Sequence, residues 1–285
     1  MILELSFKRD DDKVLKLDGN YKNDAFFGIT SLAGIGEIKF DYKTESLINE
    51  DDFSIIGSNI SKRSIDIEAI VKNSKNNDFC RQNVLSFFRK NHNYKLYVKK
   101  DKRILWIECI PEKIQCKIGK EKENAKLKLS LMCPNPFFNS FDDFGKDLAQ
   151  INPLFVFPYK KKMDEMYPIS SFQFSKEITV YNLGDTYTYP KVIITAHGDV
   201  KNPIVNVNNA YIKLIDNLKE GDVIEIAAPL KIIKNGQNCI RYVDKKSNFI
   251  DFKLNEGINK IGYNAEDGDS NMSAKYFYFM KYNGA

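Results

Sequence analysis

Apolar and polar residues alternate along most of this chain. The clearest case in the first half is residues 63–71, where Ile65, Ile67, Ala69 and Val71 alternate with Ser64, Asp66, Glu68 and Ile70. A period of two marks a half-buried strand. The same pattern predicts strands over residues 2–8, 14–17, 26–32 and 38–42. It also predicts two hairpins, 94–98 with 104–110 and 112–118 with 125–132. One stretch changes period. Over residues 78–91, Cys80, Val84, Leu85, Phe87 and Phe88 form an apolar stripe, with Arg81, Gln82, Arg89 and Lys90 as polar positions. That spacing predicts one long helix. Ser74, Asn76, Asn77 and Asp78 offer capping side chains at its start, and the cations near its end suit the helix dipole. Residues 47–57, rich in Asn, Asp and Ser, read as a protruding arm or a plain connection.

The pattern breaks after Leu127, Leu129 and Leu131, where Pro134 and Pro136 are followed at once by Phe137 and Phe138. Each proline fixes φ and lacks a backbone donor, so the strand ends there. The predicted organisation is an N-terminal α+β domain over 1–138, a connector over 139–171 and a β-sandwich over 172–285. The fold class is therefore mainly β with one long helix. In the last segment, strands are expected at 172–182, 191–196, 203–207, 210–215, 222–227, 231–234, 238–243, 249–254, 257–263 and 275–282. Asn235-Gly236 between Ile233 and Cys239 is a type I′ hairpin signal. Short strands at even spacing are the mark of a sandwich.

Composition narrows the function without naming it. The chain has 285 residues and a net charge of +5, and 43% of it is hydrophobic, which suits one large or two ordinary soluble domains. The charge is uneven: residues 89–128 carry 13 basic and 5 acidic side chains. Such a surface meets an acidic partner or nucleic acid, or is simply a solvated face. The five cysteines, Cys80, Cys109, Cys116, Cys133 and Cys239, form no CxxC pair and read as free thiols in apolar surroundings. The first residues are too charged for a signal peptide, and no apolar run reaches the ~18 residues of a membrane span. The expectation is synthesis in a cytoplasm with no signal peptide and no membrane anchor.

No catalytic, cofactor-binding or metal-binding residue is assigned. Gly28, Gly34 and Gly36 lack the spacing of a phosphate loop and lead into a strand. His92 and His197 are the only histidines and have no second histidine at ligand spacing. Asp199, Asp216, Asp222 and Glu225 could pair as a glycosidase would require, but strand and turn acids are common. The acidic stretch over 264–271 does not follow the register of a calcium loop. Trp106, Tyr242, Phe277 and Tyr278 could stack on sugars, although strand aromatics more often fill a core.

Taken in order, several segments resemble the siphovirus-type distal tail proteins of long-tailed phages. They are Gly28-Ile-Thr-Ser-Leu-Ala-Gly34, Arg63-Ser-Ile-Asp-Ile67, the helix with Arg81, Val84 and Phe87, and Cys133-Pro-Asn-Pro-Phe-Phe138. Further along come Tyr181-Asn-Leu-Gly-Asp185, Tyr189-Pro-Lys-Val192, Gly221-Asp-Val-Ile-Glu-Ile226 and Leu254-Asn-Glu-Gly-Ile-Asn259. Asn135 departs from the Asp common before Pro-Phe-Phe, and the connector has an unusual run, Lys160-Lys-Lys162. The resemblance implies a non-enzymatic virion protein at the tail tip. Its N-terminal domain would form a hexameric ring and its C-terminal domain a galectin-like sandwich. Its partners would be the tail tube protein and the tail-associated or baseplate proteins, with DNA only as cargo through the channel. The rival readings are a carbohydrate-binding host-recognition module on the sandwich, with weak glycan contact, and the equivalent hub of a phage-derived contractile particle.

Overall fold

The computed structural model describes residues 3–18, 27–46, 53–71, 77–117, 125–141, 146–147, 149–153, 170–174, 177–227 and 231–285. The chain forms two compact units. The first holds Met1–Phe141 together with Lys281–Ala285, and the second holds Asp142–Met280.

The first unit is built on one sheet. Its strands run in the order Val14–Asp18, Leu3–Arg9, Tyr94–Lys100, Arg103–Lys117, Lys126–Cys133, Arg63–Val71 and Phe27–Ala33. The first and last of these lie against each other, which curls the sheet toward a barrel. The two hairpins expected over 94–132 share one continuous strand of 15 residues, Arg103–Lys117. Its first half pairs with Tyr94–Lys100 and its second half with Lys126–Cys133. The register shifts between Pro111 and Lys113. A proline there removes a ladder donor, so the strand bulges and changes partner. Leu5, Phe7, Ile65, Ile67, Leu96, Ile107, Leu127 and Leu129 fill the core at or below 1% exposure.

The long helix is corrected. The helix spans Asn77–Phe87, 11 residues, so the chain is mainly β with one short helix. The carbonyls at its end are taken by side chains from elsewhere. The Arg9 guanidinium donates to the carbonyl oxygens of Phe87 (2.5 Å) and Ser86 (3.4 Å). The Tyr94 hydroxyl donates to Arg89 O at 2.9 Å and accepts from Arg89 N–H at 2.5 Å. Asn91 then adopts φ 68°, which no helix continues. Arg89 and Lys90 therefore lie in the turn and not on a last helical turn. Phe88 packs edge-on against Phe7, with ring centroids 5.3 Å apart, and fixes the helix across the sheet.

Among its described residues the second unit has two larger antiparallel sheets and a separate two-stranded one, Ala149–Pro153 with Ser170–Phe174. Of the larger two, one runs Lys146–Asp147, Met272–Phe277, Lys191–Ala196, Val223–Ala227, Lys231–Lys234, Gln237–Asn238. The other runs Glu177–Asn182, Gly257–Asp267, Val200–Val207, Ala210–Lys213. Tyr276 of the first sheet crosses to the second. Its hydroxyl donates to Asn206 O at 3.2 Å and, by a very short bond, to Gly262 O. Val192, Ile194, Val205, Val207 and Ile261, all at 0% exposure, fill the space between the sheets. The Asn235-Gly236 turn has φ of 48° and 83°, and it joins Lys234 to Gln237 as the type I′ pattern requires. Two expected strands are not formed. Residues 240–242 make a 3₁₀ turn, and 249–254 contribute only a Leu254–Thr188 bridge.

Candidate assembly surfaces

The strands Phe40–Ser46 and Phe53–Ile60 pair only with each other, so they form an isolated two-stranded arm. The arm reading covers part of 47–57; within it, residues 47–52 lie outside the described residues. Register places Phe40 opposite Ile60, Tyr42 opposite Ser58 and Thr44 opposite Ile55, and Phe53 lies two residues on from Ile55. Paired residues share a face, as do residues two apart on a strand. One face therefore carries Phe40, Tyr42, Ile55, Phe53 and Ile60 together with Thr44, Ser46 and Ser58, and the other carries Asp41, Lys43, Glu45, Ser54 and Asn59. The register shift between Lys43 and Thr44 leaves Ile56 as the extra residue of a bulge. Phe40 and Tyr42 stack, with ring centroids 6.4 Å apart. The apolar face is open to solvent: Phe53 is 68% exposed, Ile55 65%, Tyr42 58% and Phe40 52%. Alternation over 38–42 was legible in sequence; the amphipathic return strand was not, because it was read as loop.

The base of the arm is anchored. Arg63 is only 5% exposed, and its guanidinium donates to three carbonyls: Gly34 O at 2.6 Å, Pro136 O at 2.7 Å and Asn283 O at 2.5 Å. It also sits over the Phe138 ring at 5.1 Å. Burial pulls the Arg63 pKa below its ordinary value, because desolvation disfavours the charge. Gly34 has φ 86°, and a Cβ there would lie 2.0 Å from Ser64 O. Residues Lys281–Tyr282 pair with Phe138–Ser140, and Ala285 N–H donates to Ile35 O at 3.1 Å.

The basic stretch 89–128 lies on the same unit. Lys128 pairs with Glu68 at 2.5 Å and Lys99 with Glu4 at 3.0 Å. Lys117 stands directly opposite Lys126, a like-charge pair that favours an anion from outside. Lys100, Lys102, Arg103 and Lys113 are also exposed.

The residues weighed for chemistry are dispersed. His92 Nδ1 contacts Asp10 at 2.5 Å and His197 Nε2 contacts Ser273 Oγ at 3.0 Å. Lys234 binds Asp216 at 2.8 Å and Asp222 at 3.2 Å, while Lys191 binds Glu225 at 3.0 Å. Asp199 uses its backbone oxygen to hold Asn271. In the acidic stretch 264–271, Glu266 pairs with Lys213 and Asn202. Among the described residues, no group of three His, Cys, Asp or Glu side chains could hold a metal ion. Trp106 and Tyr278 are buried, Phe277 is half-buried and Tyr242 is exposed beside Arg241. Cys109, Cys133 and Cys239 are buried free thiols and Cys116 is half-buried; the Cys80 side chain lies outside the described residues. Burial pushes the Cys133 thiol up to about 11. Among the described residues, no helix is long and apolar enough to cross a membrane.

Comparison with known proteins decides the family. Residues 18–133 match the phage tail protein RIFT-related domain, and residues 183–278 match the C-terminal domain of the siphovirus-type tail component. The chain belongs to the siphovirus-type distal tail proteins. The solved structure of Dit from phage SPP1, titled a paradigm of hub adsorption apparatus in phages infecting Gram-positive bacteria, superposes with a TM-score of 0.66 at 12% identity. The match covers 96% of this chain and 98% of that one. A chain of the phage P2 baseplate in its activated conformation with calcium gives a TM-score of 0.51 at 9% identity, covering 98% of each chain. At such identities these likenesses speak to fold. No curated protein sequence matches the chain. The β-rich fold agrees with Dit, and the distal tail family is one of structural hub proteins rather than known enzymes.

Proposed function

We propose that this chain is the structural hub at the distal end of a phage tail, where six copies form a ring through their first units. The ring joins the tail tube to tail-tip or receptor-binding proteins, and DNA passes through its channel as cargo. The exposed amphipathic arm carries this reading. An isolated hairpin is marginally stable in water, so an arm whose one face exposes several large apolar side chains requires a partner surface. Burying Phe40, Tyr42, Phe53 and Ile55, each more than half exposed, contributes on the order of 5 kcal/mol per arm.

Charge supports a head-to-tail contact. Residues 37–60 carry six acids (Glu37, Asp41, Glu45, Glu50, Asp51, Asp52) and two lysines (Lys39, Lys43), a balance of −4. Residues 89–128 carry 13 basic and 5 acidic side chains, a balance of +8. Opposite charge balances on two stretches of one unit favour a heterologous contact, which closes into a ring when the rotation per copy permits.

Light scattering over a wide concentration range tests this. A hexamer, or a monomer–hexamer equilibrium, is expected. The double variant Phe53→Asp with Ile55→Asp should move the equilibrium to monomer by at least about a hundredfold in midpoint concentration, with unfolding by urea unchanged. A wild-type chain that stays monomeric at every concentration, alone and with the tail tube protein present, would overturn the ring.

A further inference from the structure

The second unit also holds a cleft. It has a volume of about 500 Å³, and it opens between the two sheets where residues 243–253 cross. Its floor is Ile212, Ile226 and Phe252, each at or below 3% exposure, and its walls include Tyr189 and Phe249. Volumes of this size and apolar lining are typical of binding pockets.

The polar groups of the lining are already engaged. Ser247 Oγ accepts from Lys213 N–H at 3.0 Å. Asn248 donates to Asp251 at 2.8 Å and accepts from Asp251 N–H at 3.0 Å. The Tyr189 hydroxyl donates to Ile250 O at 3.3 Å. A sugar brought here would bury hydroxyls against a described lining that is mainly apolar and whose polar side chains are each already in a hydrogen bond, which is unfavourable. An apolar group loses nothing by entering.

The surroundings indicate a protein. Ile250 at the rim is 75% exposed, and Tyr187, edge-on to Tyr189 with centroids 5.7 Å apart, is 44% exposed. The apolar surface thus continues outside the cleft, as at protein-binding sites. Lys245 and Lys246 flank it and are exposed, and Lys253 lies over the Tyr187 ring at 4.8 Å. Against these stand Asp244 and Asp251, the latter already held by Asn248 and by Lys253 at 3.9 Å. The rim is net positive.

We propose that this cleft docks an apolar side-chain anchor, flanked by acidic residues, from a protein partner, and that it does not bind carbohydrate. The proposal rests on residues of the second unit alone, so it fails or holds independently of the ring. The test uses the full chain labelled at isoleucine δ1 methyls, since Ile212, Ile226 and Ile250 all line the cleft. Four probes are titrated: a blocked peptide Asp-Phe-Leu-Asp, its counterpart Lys-Phe-Leu-Lys, p-cresol and N-acetylglucosamine. Saturable shifts of the three methyls are expected with the acidic peptide. The lysine peptide should bind at least about threefold more weakly. Ile250→Glu should weaken the acidic peptide by at least about fivefold; the side chain is exposed, so the fold is retained. A saturable response to the sugar at these methyls would overturn the proposal. So would a response to p-cresol without one to the peptide, tighter binding of the lysine peptide, or no response to either peptide.

Discussion

Replacing Arg63 with alanine removes the one side chain that holds three separate pieces of backbone together. The guanidinium reaches Gly34 O at 2.6 Å, Pro136 O at 2.7 Å and Asn283 O at 2.5 Å from a site where the residue is 5% exposed. Each carbonyl left without its donor costs about 1–3 kcal/mol. The three lie around one cavity, where water can enter once the side chain is gone, so their penalties do not sum in full. A loss of about 3–5 kcal/mol for the first unit follows, a large share of the ~5–15 kcal/mol that holds a domain folded. Trp106 supplies the assay. It is the only tryptophan, it lies in the first unit at 8% exposure, and its ring N–H donates to Ser140 O at 2.9 Å. Urea unfolding followed by its fluorescence should show the drop. Hydrogen exchange should show faster loss of the Ala285 amide, which donates to Ile35 O. Arg63→Lys, a point charge without the planar fork, should recover less than half of the loss. A destabilisation by Arg63→Ala under about 1 kcal/mol, or an unchanged Ala285 exchange rate, would refute the argument.

Three further outcomes can be checked on the same preparation. Gly34→Ala forces a side chain into φ 86° with its Cβ 2.0 Å from Ser64 O, and should lower first-unit stability by more than about 2 kcal/mol in urea unfolding. Tyr276→Phe removes the hydroxyl shared by Asn206 O and Gly262 O, and should cost the second unit about 1–2 kcal/mol, read by calorimetry. Asp222 is held below its ordinary 3.8 by the Lys219 backbone N–H, then by Asn235 and Lys234. Its contribution is therefore present above that value and is lost as pH falls through the folded-state pKa, so Asp222→Asn should be less stable than wild type at neutral pH, with the difference vanishing in acid.

What could be read in the sequence follows from the range of each interaction. Residues 63–71 and 125–132 announced themselves because period two over a half-buried sheet is a local signal. The Asn235-Gly236 turn did so because two adjacent positive-φ residues are needed there. The helix end was misread because its determinants, Arg9 and Tyr94, lie outside the helix and both donate to the carbonyl of Phe87, its last residue. Residues 249–254 alternate in sequence yet serve as a crossing segment, since Phe252 and Leu254 are buried without a ladder. The arm was half legible. Phe40 and Tyr42 alternate, but Phe53 and Ile55 sit in a polar context whose pairing only the register reveals. Of the four acids singled out by spacing, Asp216, Asp222 and Glu225 are paired with lysines, while Asp199 holds Asn271 through its backbone oxygen.

The arm and the closure of the first unit share their footing. Gly34, whose carbonyl Arg63 holds, ends the strand Phe27–Ala33 and starts the path to the arm; Ser61 N–H, donating to Lys39 O at 2.9 Å, closes the arm's base just before Arg63 begins the next strand. The same guanidinium binds Asn283, from the far end of the sequence. The second unit is an insertion in the first: the chain leaves after Phe141 and returns at Lys281, which pairs with Asn139. A unit inserted this way is tied to the first by two chain crossings rather than one. The strands on either side of the insertion are hydrogen-bonded to each other, and Arg63 holds the returning one through Asn283 O.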